Sequence, residues 1–152
     1  MTPPRVVLDT NVLLQILGAR NPYHFLFRAF LDGAFTLCVS TEILLEYEEI
    51  LGRLASRTAA DLFLKVLAYS PNVIHGTPYF QFRLVTRAPD DNKFTDCAIV
   101  TQADCLVTDD SHFREAADCP FPRINVMSLD AFADLIRSAP GQEPPPSLHG
   151  GN

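Results

Sequence analysis

Arg5-Val6-Val7-Leu8-Asp9, close to the N-terminus, is the stretch on which the fold turns. Val6, Val7 and Leu8 follow one another with no polar residue between them, so a strand here meets apolar surroundings on both faces, as in a parallel sheet covered on two sides. Similar short runs return at Phe35 to Val39, Val73-Ile74, Cys105 to Thr108 and Ile124 to Met127, with Phe82 to Val85 as a further candidate. Longer segments of helical character separate them. That alternation predicts an α/β fold, a parallel β-sheet flanked by helices on both faces.

Local signals bound the helices. Asn21-Pro22 offers a cap and a first-turn proline for Tyr23 to Leu31, and Gly33 stops it. Ser40 caps a helix from Thr41 to Leu51, which Gly52 is expected to close. A third helix is expected from about Thr58 to Ala68, with Leu62, Val66 and Leu67 as its apolar stripe. Pro89-Asp90-Asp91-Asn92 turns into a short helix over Phe94 to Gln102, and Ser128 caps a last one over Leu129 to Ile136. In the Tyr23 to Phe30 helix, Phe25, Leu26 and Phe30 suit a core better than a dimer face.

The chain of 152 residues, 47% hydrophobic, is long enough for one domain with a packed core. Residues 1–139 are expected to form that domain. From Pro140 the sequence becomes Gly, Gln, Glu, Ser and a run of prolines without apolar periodicity, so 140–152 is expected to be a disordered tail. Cys38, Cys97, Cys105 and Cys119 form no CxxC pair and lie in or beside apolar stretches, as reduced, buried thiols do. No run is long enough for a membrane span or a signal-peptide core, which predicts a soluble cytoplasmic protein with no membrane partner. The formal charge of -6 provides no basic footprint for non-specific nucleic-acid binding, but a metal-occupied acidic cluster would cancel part of it locally.

The acidic residues carry the functional signal. Asp9 and Asp110 each follow a buried strand directly, which places both at the carboxyl edge of the sheet, where open α/β folds bind their ligands. Glu46 lies about two turns into the helix after the second strand and shares a face with Glu42. Asp96 precedes the apolar face Ala98-Ile99. Asp91 near the helix start can serve the helix dipole alone or the site. Asp109 and Asp110 are adjacent and cannot both aim at one point; one of them is free to cap the segment starting Ser111-His112-Phe113. Carboxylates drawn together from distant elements repel one another unless a cation sits among them, so a divalent-metal site accounts for the pattern. His24, His75 and His149 lack ligand spacing, which argues against zinc.

Four blocks in order, Val6 to Leu13, Ser40 to Tyr47, Asp90 to Ala98 and Ala103 to Asp110, resemble the PIN domain, and within it the PIN-like toxin components of bacterial type II toxin–antitoxin systems. The resemblance implies a three-layer α/β/α fold and a metal-dependent endoribonuclease. Asp9, Glu46, Asp96 and Asp110 match the family's acidic quartet, and Asp91 an additional acid; Asp9, Asp91, Asp96 and Asp110 are then the expected ligands of Mg²⁺ or Mn²⁺. Asn11 and Thr108 match polar residues that orient the first and last acids, whereas Asp109 departs from the small residue common there. An RNA substrate, a small antitoxin protein and a homodimer are the implied partners.

The chemistry agrees with the residues. Metal ions held by carboxylates can activate water and stabilise the departing oxygen of a phosphodiester, so no side-chain nucleophile is needed. Lys93, Arg87 and Arg114, with Arg20, are candidates for phosphate contacts around an otherwise repulsive centre, and His112 for another. Phosphatases of the haloacid dehalogenase type also place an Asp after the first strand, but they expect a second Asp two residues later, where this chain has Asn11. A non-catalytic module of the same fold would be expected to have lost one of the acids.

Overall fold

The computed structural model describes residues 2–86 and 88–139. Five strands, β1 Arg5–Leu8, β2 Thr36–Val39, β3 Val73–His75, β4 Cys105–Val107 and β5 Val126–Met127, make one sheet in the order β3-β2-β1-β4-β5. Every pairing is parallel, with Val6 opposite Leu37 on one side and opposite Cys105 on the other. The three central strands are buried almost end to end, as their unbroken apolar runs predict. Seven α-helices accompany them among the described residues: α1 Thr10–Leu17, α2 Phe25–Leu31, α3 Thr41–Leu54, α4 Arg57–Tyr69, α5 Asn92–Val100, α6 Arg114–Asp118 and α7 Leu129–Arg137. The architecture is the expected three-layer α/β/α sandwich.

Caps set several boundaries. The side chains of Asn21, Ser40, Ser56 and Ser128 accept from the backbone N–H of Tyr23, Ile43, Ala59 and Ala131, and so satisfy donors at four helix or turn starts. Gly33, with φ +83°, makes the left-handed turn that ends the α2 segment. Leu26, Ala29 and Phe30 of α2 are buried, in keeping with a core helix. No described helix is long and apolar enough to cross a membrane.

The structure corrects several expectations. α1 follows Asp9 at once, in a segment where no helix was predicted; its Val12, Leu13 and Ile16 are buried and its Leu14 and Leu17 half-buried, so it shows almost no polar face. α3 runs past Gly52 to Leu54, because at that position a Cβ would meet nothing and the backbone keeps helical geometry. α4 buries Ala60, Phe63 and Leu67, while Leu62 faces solvent. Phe82 to Val85 pairs with no strand. α5 starts at Asn92, two residues early, after a 3-10 turn at Pro89–Asp91. The expected tail, 140–152, and Arg87 lie outside the described residues.

The exit of β3 is tightly built. Gly76 donates its N–H to the Val39 carbonyl at 2.8 Å, and a Cβ there would lie 2.6 Å from Thr101 Cγ2 and 2.8 Å from Val100 Cγ1. Gly76→Ala is therefore expected to cost about 1–3 kcal/mol through overpacking, seen as a lower denaturation midpoint at unchanged m-value.

Candidate functional site

Asp9 ends β1 and sits between β2 and β4, at the carboxyl edge of the sheet. It is only 7% exposed, and Thr108, which follows β4, donates its hydroxyl to Asp9 Oδ2 at 2.8 Å. Below it, the buried Tyr47 hydroxyl donates to the Leu8 carbonyl at 2.5 Å and ties α3 to the end of β1. Burial raises the Asp9 carboxyl above its usual range, with Asp110 and Glu46 adding repulsion, while Thr108 and the Thr10 backbone pull it back.

Glu46 reaches the same place from α3. The Thr10 hydroxyl donates to its Oε2, and Lys93 Nζ stands 2.9 Å from its Oε1. Lys93, expected at the rim, is instead a half-buried partner of an acid within the cluster.

The adjacent aspartates divide their roles. Asp109 accepts from the Leu129 N–H at 3.1 Å and serves the start of α7. Asp110 accepts the His112 N–H at 2.9 Å, its own N–H donates to Thr108 Oγ1, and its Oδ1 lies 3.1 Å from His112 Nδ1. The same ring nitrogen lies 3.9 Å from Asp91 Oδ2. Oxygens of Asp91 and Asp110 and a ring nitrogen of His112 all fall within 4.8 Å of one another, a spacing that could hold a metal ion.

Asp91 is the most perturbed acid of the group. It occupies the residue before α5 yet makes no side-chain cap, so the helix start does not consume its carboxylate. Burial, followed by the charges of Asp9, Asp110 and Glu46, raises it to about 6, with His112 acting in the opposite direction. Four acids, Asp9, Glu46, Asp91 and Asp110, therefore feel one another.

Asp96 comes to the neighbouring side of the site from α5. Also 7% exposed, it accepts the Phe82 N–H at 3.2 Å; burial raises its carboxyl, and Glu42 adds repulsion. Like Asp9 and Glu46, it falls outside the close group of Asp91, Asp110 and His112. Asp96 lines a neighbouring hollow of about 570 Å³ together with Glu42, Arg83 and Lys93.

Of the supporting residues, Thr108 donates to Asp9 and accepts from the Asp110 N–H, while Asn11 is exposed and Thr10 bonds Glu46. Arg114 is exposed at the start of α6. Sequence reasoning missed Thr10, whose signal is its place directly after Asp9, and gave His112, two residues after Asp110, no role beside the acids.

A cation fits this donor set. The atoms are hard oxygens with one imidazole, burial and then mutual repulsion raise two of the carboxyls, and hydrogen bonds hold Asp9 and Glu46 in place, which suits a divalent cation.

Comparison with known proteins agrees with the fold. A family model described as the PIN domain matches residues 5–112. Among solved structures, VapBC2 from Rickettsia felis, bound to a DNA fragment from its promoter, superposes with a TM-score of 0.57 at 15% identity over 82% of this chain and 98% of that one. FitAcB from Neisseria gonorrhoeae gives 0.53 at 18% over 82% and 97%. DNA-bound VapBC from Salmonella typhimurium gives 0.53 at 17% over 83% and 98%. No curated protein matches the sequence.

Proposed function

We propose that this chain, which belongs to the PIN domain family, is a divalent-metal-dependent endoribonuclease centred on Asp9, Glu46, Asp91 and Asp110. The observation that carries the proposal is the convergence of these four acids from β1, α3, the start of α5 and the end of β4, with oxygens of Asp91 and Asp110 and a His112 ring nitrogen within 4.8 Å of one another. A fold alone gains nothing from crowding like charges; a cation site does.

Asp9, Asp91 and Asp110 would hold the ion, with Glu46 beside them. When bound, Mg²⁺ or Mn²⁺ supplies the Lewis acid that lowers the pKa of water and draws charge from the phosphate. The Thr108 hydroxyl fixes the Asp9 carboxylate, and the Thr10 hydroxyl fixes Glu46. Lys93 brings positive charge to the edge of the acidic centre, where an RNA phosphate must approach. Asp96 flanks this centre rather than sharing it, and serves the hollow beside it.

A role as the toxin of a toxin–antitoxin pair, with a small antitoxin protein as partner and a homodimer as the working form, is supported by the sequence resemblance and by the shared fold of the VapBC and FitAcB complexes.

The test is incubation of the purified protein with mixed RNAs in Mg²⁺, Mn²⁺ or EDTA. Endonucleolytic fragments should form with either metal and vanish with EDTA; intact RNA under all three conditions overturns the proposal. Thr108→Val keeps the shape but removes the hydrogen bond to Asp9, so it should weaken metal affinity by roughly 10–100-fold by isothermal titration, with the circular dichroism spectrum unchanged.

A further inference from the structure

The segment between β3 and α5 puts aromatic side chains in water. Tyr79 is 92% exposed and Phe80 69%, in a chain whose other phenylalanines are mostly packed into the core. Phe80 lies against Phe82 with ring centroids 5.2 Å apart. The backbone is anchored at Phe82 and just beyond it: Asp96 takes the Phe82 N–H, while the Asn92 side chain accepts from the Val85 N–H and donates to its carbonyl. Between these anchors Arg83 adopts φ +53°, an uncommon conformation for a residue with a Cβ.

These anchors hold the segment against the hollow that Asp96 and Asn92 line. Gln81 and Arg83 line the same hollow, with Lys93. Lys93 also bonds Glu46, so the hollow and the carboxylate cluster share one side chain and form a continuous surface. The lining mixes apolar surface with Glu42, Asp90 and Asp96 and the two cations Arg83 and Lys93. A strand of flat apolar rings meets the exposed aromatics, and Arg83 and Lys93 are the groups available to its anionic links.

We infer that Tyr79, Phe80 and Phe82 form a nucleobase-stacking platform that, with Arg83 and Gln81 in the adjoining hollow, seats single-stranded RNA nucleotides flanking the bond to be cut. The inference rests on the ribonuclease reading. Aromatic rings stack on any base, so the platform grips unpaired RNA with little regard to sequence. A paired stem keeps its bases inside the helix and cannot use it.

The test measures binding by fluorescence anisotropy in Ca²⁺, which does not depend on turnover. One probe is an oligouridylate; the other has the same length and charge but abasic sites. The wild type should prefer the probe with bases by roughly 10-fold or more. The Tyr79→Ala/Phe80→Ala double variant, which removes only exposed rings, should lose most of that preference, and the Leu/Leu counterpart should retain only part of it. Equal affinity of the wild type for both probes, or an undiminished preference in the Ala/Ala variant, overturns the inference even if RNA is cleaved. If the substitutions instead weaken a protein partner's binding and leave the preference intact, the platform is a protein contact and the inference also fails. Absence of cleavage together with a ring-dependent preference refutes the nuclease reading while sustaining RNA stacking.

Discussion

Asp9→Asn should lower metal-dependent RNA cleavage by about 10³-fold, the loss expected when a central ligand removes several kcal/mol of charge stabilisation from the transition state. Asn has nearly the same shape and can still accept from Thr108, so the hydrogen bond that positions the side chain has a counterpart in the variant. The fold should not suffer. Asp9 is buried and repelled by Asp110 and Glu46, and removing its charge relieves the metal-free protein. The variant's melting temperature in EDTA should therefore equal or exceed that of the wild type at pH 7.5. Full cleavage by a well-folded Asp9→Asn protein would exclude the proposed centre, whereas lost cleavage with a lowered melting temperature would point to damaged folding instead.

Thermal stability should depend on pH in opposite ways with and without divalent metal. Asp91 is raised to about 6 from the ordinary value of 3.8, and Asp9 is raised as well. Between about pH 4 and pH 6 the folded state thus holds more protons than the unfolded state, and stability of the metal-free protein falls as pH rises through that window. The penalty is complete above pH 6 and absent below pH 4. Divalent cations compete with those protons, so their effect should be small near pH 5 and large near pH 7.5. At a hundredfold excess over the dissociation constant, binding contributes about 2.7 kcal/mol, or a melting shift of about 5 to 10 °C for a domain of this size. A melting temperature indifferent to Mg²⁺ and Mn²⁺ at pH 7.5 would argue that no ion is held there.

Much of the fold was legible because buried parallel strands need unbroken apolar runs, and Arg5–Leu8, Thr36–Val39 and Cys105–Val107 supply them. α1 escaped because it starts directly after Asp9, with no loop, capping side chain or proline to mark a helix start. In the candidate site, Asp9, Glu46 and Asp110 could be placed because strand ends and one helix face fix their direction. The relative placement of Asp91 and Asp96, both expected as ligands, could not, since it depends on where α5 begins. The helix starts at Asn92 after a 3-10 turn, with Asp91 before it and Asp96 bonded to the Phe82 N–H. Asp109 and Asp110 were likewise separable only once α7 was in place to supply the Leu129 N–H.

The parallel pairing of β1 with β4, Val6 beside Cys105, makes the acidic cluster a late product of synthesis. Two of its four acids stand at position 91 or later, so a polypeptide still emerging from the ribosome lacks a complete cluster until β4 has been made and has docked.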